Sequence, residues 1–258
     1  MIDLSYIRNF YPQPIADNAA MAKHLVKEYV ELMVLDHLAC SPYIGRLCFI
    51  GGTCLRLVKG IDRFSEDLDF DCKDMSREDF LAMTDDVVTF LQRNGLSVEV
   101  KDKDDSHLTA FRRNIYFPGL LFDLQLTGHR DERFLLKVEM QDQGVAYPTQ
   151  MTTVNRCGFF FHIPVPSDGV LLSMKLSALL ARAKGRDFYD AIFLWQQTSP
   201  DFDFLAVRCG ISNEEELKNA LLQKIATIDL GVKMRDFEHL MFQSQAAQRI
   251  LNFSDLLR

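Results

Sequence analysis

Thiol chemistry has little to work with in this chain. Six cysteines are scattered at positions 40, 48, 54, 72, 157 and 209, with no Cys-x-x-Cys. That spacing excludes a zinc ribbon and a thioredoxin-type redox pair, and several of the six lie in apolar runs, so they read as buried free thiols of a reducing compartment. The six histidines do not cluster at ligand spacing either. Positive charge is in deficit, with a net charge of −7, which argues against a protein that coats nucleic acid nonspecifically but leaves room for a local basic patch. No run is long and apolar enough to span a membrane, and the opening Met1-Ile2-Asp3-Leu4 lacks a signal peptide's basic start, so the cytoplasm is the expected setting. There is no Walker loop, nucleophile elbow, dinucleotide fingerprint, internal repeat or low-complexity tract. The single tryptophan, Trp195, sits among Phe188, Phe193 and Leu194 and reads as core.

The chain's 258 residues, 48% hydrophobic and 25% charged, suit a protein with a real core and one or two domains. Its most informative stretch is residues 49–71. The apolar run Leu47-Cys48-Phe49-Ile50 reads as a buried strand that leads into Gly51-Gly52-Thr53. Thr53 opens a short helix to about Lys59, with Gly60 as its stop. A second strand follows, Asp67-Leu68-Asp69-Phe70-Asp71.

The order of these pieces carries chemistry. Glycines without Cβ let phosphate oxygens approach the main chain, and free amides at a helix start attract anions. Alternation along a strand puts Asp67 and Asp69 on one face, with Leu68 and Phe70 on the other, toward a core. Two carboxylates on one face can share a pair of Mg²⁺ ions about 3.5–4 Å apart. Gly-Gly alone is usually a tight turn and Asp-x-Asp alone a solvated one; their order, strand–glycines–helix–acidic strand, favours phosphoryl transfer from a nucleotide.

Further along, residues 17–40 read as an amphipathic helix capped by Asp17 or Asn18, with Ala22, Leu25, Val26, Tyr29, Val30 and Met33 on one stripe. Ser76 caps a helix to about Asn94, ended by Gly95. Residues 96–101 alternate as a strand, and Lys101–Ser106 is a charged loop. The spacing predicts a hairpin of strands 110–117 and 120–127 around Pro118-Gly119, a strand over 134–141, and a last sheet strand over 158–165. After Ser167 the pattern turns helical, with helices over 168–183, 186–197, 213–225, 232–244 and 246–257. The expected organisation is an α+β domain over 1–166, a mixed sheet flanked by helices, and a helical domain over 167–258.

Gly-Gly-Thr-x-Leu (51–55) followed by Arg63-Phe64-Ser65-Glu66-Asp67-Leu68-Asp69-Phe70 resembles the AbiEii/AbiGii-type nucleotidyltransferases. These are toxins of type IV toxin–antitoxin and abortive-infection systems, similar to the MenT toxins and part of the DNA polymerase β-like superfamily. The resemblance implies that the glycine–hydroxyl pair, Gly52 and Thr53 with Gly51 beside them, contacts nucleotide phosphate. It implies that Asp67 and Asp69 bind Mg²⁺, in a two-metal site, with an NTP as substrate. Most of the superfamily has Ser where this chain has Thr53, which keeps the hydroxyl. Arg63 and Ser65, within the octet, join the nucleotide-binding candidates, and Arg56 is a second arginine near the cradle. Such arginines more often pair with local acids such as Asp62 or Glu66.

The family's third carboxylate falls on Glu139 in Lys137-Val138-Glu139, as a metal ligand or as the base that receives the acceptor's proton. Asp123, on the polar side of the expected second hairpin arm, is its rival. The stretch from Lys175 to Arg186-Asp187-Phe188-Tyr189-Asp190 resembles the family's C-terminal motif. Lys175 then steadies triphosphate, and Asp187 or Asp190 orients Lys175 or completes the nucleotide site. Arg182, Lys184 and Arg186 also fit a basic turn paired with the two aspartates. The implied reaction moves an NMP onto a hydroxyl, at the 3′ end of tRNA or on a protein, with a separately encoded antitoxin as partner. The same metal site would serve a small-molecule nucleotidyltransferase of the aminoglycoside-modifying kind, and a non-catalytic nucleotide-binding module is the third reading.

Overall fold

The computed structural model describes residues 2–101 and 110–257; most of the expected charged loop Lys101–Ser106 lies outside the described residues. The chain divides into two units. The first comprises Met1–Val58, Phe64–Gln143 and Met151–Val165; the second comprises Lys59–Arg63, Gly144–Gln150 and Pro166–Arg258.

The first unit begins with two short helices, α1 (Leu4–Arg8) and α2 (Gln13–Ala16), and a long one, α3 (Ala22–Ala39). Asn18, expected to cap the helix, accepts the Ala20 N–H and caps instead a 3₁₀ turn over Ala19–Met21; α3 itself starts after Met21 with no side-chain cap. The helix is buried more widely than its sequence stripe implies: Leu32, Leu35 and Leu38 are interior, and so are Glu28 and Glu31. Glu28 is satisfied there by Tyr11 Oη at 2.9 Å and by Arg56 Nε at 2.7 Å.

Strand β1 (Leu47–Ile50) follows, then α4 (Gly51–Cys54), a π-helical turn (Leu55–Lys59), and β2 (Asp67–Cys72). The helix thus starts at Gly51, two residues before the expected Thr53. Helix α5 (Arg77–Arg93) opens with a reciprocal capping box between Ser76 and Asp79, a feature that stabilises a helix start by about 1 kcal/mol. Of the residues expected inward on it, Phe80, Met83, Val87 and Leu91 are buried and Phe90 is half-buried. Next come β3 (Glu99–Val100), β4 (Phe111–Tyr116), the single-turn α6 (Leu120–Asp123) and β5 (Leu135–Gln141). The five strands form one mixed sheet in the order β1-β2-β5-β4-β3, with β2 parallel to β5 and the other pairs antiparallel.

Three sequence expectations give way here. The second hairpin arm over 120–127 is not a strand: Gly119, at φ 74°, turns the chain into α6, and β4 pairs instead with β5 and β3. The alternation of Phe122, Leu124 and Leu126 has no sheet face behind it; Phe122 is exposed. The expected strand 96–101 shrinks to β3's two residues. The strand expected to close the sheet, β7 (Phe159–Pro166), pairs only with β6 (Thr149–Arg156), in a separate two-stranded sheet. Strand β6 carries polar, largely exposed residues, so no hydrophobic alternation announces it.

The second unit is helical: α7 (Asp168–Arg182), α8 (Gly185–Trp195), α9 (Phe202–Cys209), α10 (Glu214–Ile225) and α11 (Leu230–Arg235), then short 3₁₀ segments to Leu257. Helix α9 is absent from the sequence reading. The helix expected over 232–244 is broken after Arg235, and that expected over 246–257 is 3₁₀. Gly185 is required where α8 meets α11: a Cβ there would stand 1.9 Å from the Lys233 carbonyl oxygen. Among the described residues no helix is long and apolar enough to cross a membrane.

Candidate active site

Strand register assembles the acidic centre in the first unit. Asp69 lies opposite Ile50 on β1 and opposite Glu139 on β5; Asp67 lies opposite Lys137. On β4, Arg112 is the cross-strand partner of Glu139. Asp67, Asp69 and Glu139 are all half-buried on one face of the sheet, while Leu68, Phe70, Val138 and Met140 are buried on the other. The alternation read from sequence therefore holds in both strands.

Gly51 explains the glycine that follows β1. Its φ is +80°, and a Cβ built there would meet Asp69 Oδ2 at 2.1 Å. The main chain of the glycine turn is thus packed directly on the Asp69 carboxylate. Thr53 is fully buried in α4 and donates its hydroxyl to the Asp67 carbonyl oxygen at 2.6 Å, tying α4 to β2. Its proton is given to the fold in this arrangement. Ser65 is buried two residues before Asp67.

The carboxylates are accompanied by cations. Lys137 Nζ stands 3.3 Å from Asp67 Oδ1 and 3.6 Å from Glu139 Oε1, and Arg112 Nε is 2.7 Å from Glu139 Oε1. Among the described residues no three His, Cys, Asp or Glu side chains are drawn together as a ready metal cage. The donor set nonetheless fits a hard divalent cation. It is all carboxylate oxygen, and Mg²⁺ takes only one or two such ligands from protein while keeping water and phosphate oxygens. The Lys137 ammonium already stands between two of the acids as a positive group in that place.

In the second unit, Asp190 is the hub. It is 0% exposed and accepts Arg63 Nε and Nη2, each at 2.7 Å, and Lys175 Nζ at 2.8 Å. Burial opposes its ionisation, but the Arg63 guanidinium and the Lys175 ammonium outweigh burial and hold its carboxyl down at about 2. Arg63 is itself fully buried, and its bidentate partner is a carboxylate 127 residues away. Arg56 likewise is committed to Glu28. Asp187, also buried, takes Arg182 bidentately at 3.0 and 2.9 Å and the Lys184 N–H at 3.2 Å. Of the two aspartates, Asp190 is the one that holds Lys175.

Asp123 ends the single-turn α6 and is exposed, so the strand face that made it a rival of Glu139 does not exist. Sequence reasoning passed over Arg112 and the cationic role of Lys137. Arg112 has no local signal; only the register of β4 against β5 brings it to Glu139.

A mixed sheet whose first strand runs through glycines into a helix, with an Asp-x-Asp strand beside it, is the arrangement that the motif resemblance implies for a nucleotidyltransferase. The family model for the nucleotidyl transferase AbiEii toxin of type IV toxin–antitoxin systems matches residues 34–252, and the chain belongs to that family. Two solved structures share the fold at low identity. JHP933 from Helicobacter pylori superposes with a TM-score of 0.54 at 19% identity, covering 91% of each chain. MenT4, a nucleotidyltransferase toxin of Mycobacterium tuberculosis H37Rv, gives a TM-score of 0.54 at 16% identity over 100% of both chains. No curated protein sequence matches significantly.

Proposed function

We infer that this nucleotidyltransferase toxin moves a nucleoside monophosphate from an NTP to an acceptor hydroxyl, with pyrophosphate leaving, and that it uses Mg²⁺ to do so. The observation that carries the reading is the row Gly51–Asp69–Glu139, in which main chain without a side chain abuts a carboxylate pair. Asp67, Asp69 and Glu139 would hold the metal. When bound, it would neutralise charge on the transferring phosphate and activate the attacking oxygen.

The chain's own groups have the remaining work. The Gly51-Gly52-Thr53 main chain receives phosphate oxygens, and Ser65 adds a hydroxyl to the nucleotide site. Glu139, where it is not committed to metal, takes the acceptor hydroxyl's proton on a carboxylate oxygen. Lys175 offers a compact charge to phosphate. Asp190 fixes that ammonium, Arg63 fixes Asp190, and Asp187 fixes the turn into α8 through Arg182 and Lys184. The family implies a cognate antitoxin. The acceptor is the 3′ end of tRNA or a protein hydroxyl, and the setting is the cytoplasm.

The test is incubation with each NTP, labelled at the α-phosphate, together with total tRNA, with aminoglycosides, or alone. Label is expected in RNA or in protein, with pyrophosphate released. Label only in the aminoglycoside would replace the acceptor, and nucleotide binding without pyrophosphate release would overturn the transfer reading.

A further inference from the structure

We propose that Arg112 and Lys137 are resident counter-ions of the acidic row, which keep a free divalent cation out and admit it only together with a nucleotide triphosphate. The inference rests on the metal reading above. Its basis is the register of three strands. Arg112 on β4 is the cross-strand partner of Glu139, and Lys137 on β5 is the cross-strand partner of Asp67. Both cations are therefore delivered to the carboxylates by backbone pairing, not by a chance side-chain excursion. Their distances, 2.7 Å for Arg112 to Glu139 and 3.3 Å for Lys137 to Asp67, are those of formed ion pairs.

The charge balance follows. Asp67, Asp69 and Glu139 bring three carboxylates, and Arg112 and Lys137 set two positive charges against them. A row so accompanied is a weaker lure for a divalent ion than the same carboxylates without the two cations. A nucleoside triphosphate changes that balance twice over. Its oxygens complete the ligand set that Mg²⁺ prefers. They also give the displaced guanidinium and ammonium a new anionic partner. The side chains have room for that exchange, since Arg112 is 40% and Lys137 27% exposed and neither is locked in the core. Metal and nucleotide then strengthen each other's binding by one and the same factor, because coupling is reciprocal.

A carboxylate that bridges a guanidinium and a metal holds the two charges within about 5 Å, and that repulsion is worth roughly a factor of ten in metal affinity even at water's dielectric constant. The experiment is a titration of the full chain with Mn²⁺, read by electron paramagnetic resonance, with and without α,β-methylene analogues of the common NTPs. Wild type, Arg112→Gln, Arg112→Lys and Asp67→Asn are compared. The wild type is expected to bind Mn²⁺ weakly alone and much more tightly with analogue. Arg112→Gln should bind Mn²⁺ alone about tenfold more tightly, with the analogue's enhancement reduced to match, and Arg112→Lys should stay near wild type. Unchanged Mn²⁺ affinity in a folded Arg112→Gln, with Asp67→Asn still impaired, would overturn the counter-ion proposal and leave the metal reading standing. If Mn²⁺ ignores Asp67 even with analogue present, the metal reading falls and takes the proposal with it.

Discussion

Replacing Gly51 with alanine separates backbone strain from damage to the acidic row, because Gly60 supplies a matched control. The two glycines share nearly the same left-handed backbone, φ +80° and +76°. An L-residue pays about 1–2 kcal/mol for that conformation, so Gly60→Ala should lose about that much stability and Gly51→Ala at least as much. For a chain of this size that is a Tm drop of roughly 2–4 °C per kcal/mol. The surroundings differ. At Gly60 nothing lies within 4 Å of the added methyl, whereas at Gly51 it would sit 2.1 Å from Asp69 Oδ2 and 2.8 Å from its Cγ. Ordinary contact begins near 3.4 Å, so the Asp69 carboxylate must retreat by about 1.3 Å. A displacement of about 1 Å at a reacting centre costs on the order of 100-fold. Gly51→Ala should therefore lose at least about 100-fold in label transfer from NTP and should no longer arrest growth when its expression is induced. Gly60→Ala should transfer within a few-fold of wild type despite the same left-handed backbone strain. A folded Gly51→Ala as active as Gly60→Ala would refute the placement of Asp69 in the reaction.

Three further outcomes are expected. Glu139→Gln should lose about 100-fold or more in transfer, as a metal ligand or base would, whereas Asp123→Asn, at the exposed end of α6, should leave transfer intact; the reverse pattern would restore Asp123 as the third carboxylate. Asp190 ionises at about 2 in the folded chain against 3.8 as its ordinary value, so its contribution is present above pH 4 and is lost as pH falls toward 2. Urea melts should show the stability gap between wild type and Asp190→Asn, about 3–5 kcal/mol near neutrality, narrowing by ~2 kcal/mol between pH 5 and pH 2. Glu31 has the opposite sign. Burial raises its carboxyl well above 4.5, Lys27 opposes, and Glu28, Asp67 and Glu66 add to the rise. Its Oε1 has no hydrogen-bond partner. The folded state thus keeps a proton that the unfolded chain releases, and stability is lost as pH climbs through that raised value. Glu31→Gln should melt higher than wild type at pH 8 and alike at pH 4; a lower melting point at pH 8 would contradict this.

What the sequence made legible was local. Strand β1, the glycine turn, the alternation of β2 and β5 and the capped α5 follow from burial period and capping within a few residues of each other. Glu139 and Lys175 came from motif resemblance. What stayed hidden depends on partners far along the chain. Arg63 finds Asp190 across 127 residues, and Arg112 reaches Glu139 only because β4 chooses β5 over the segment after Gly119. That choice also misled the hairpin reading, since residues 120–127 alternate without a sheet to alternate against. Strand β6 failed to show because its outward residues are polar on nearly every position. Thr53 illustrates the limit for a site residue: the motif names its hydroxyl, but only the fold reveals that the hydroxyl is spent on the Asp67 carbonyl.

The central claim is that Asp67 and Asp69 form the centre at which nucleotide is transferred. It is tested most directly by measuring label transfer from α-labelled NTP by Asp67→Asn and Asp69→Asn, with circular dichroism melts on the same samples. Both variants are expected to fold like wild type and to transfer nothing above background. Full transfer by both folded variants would contradict it.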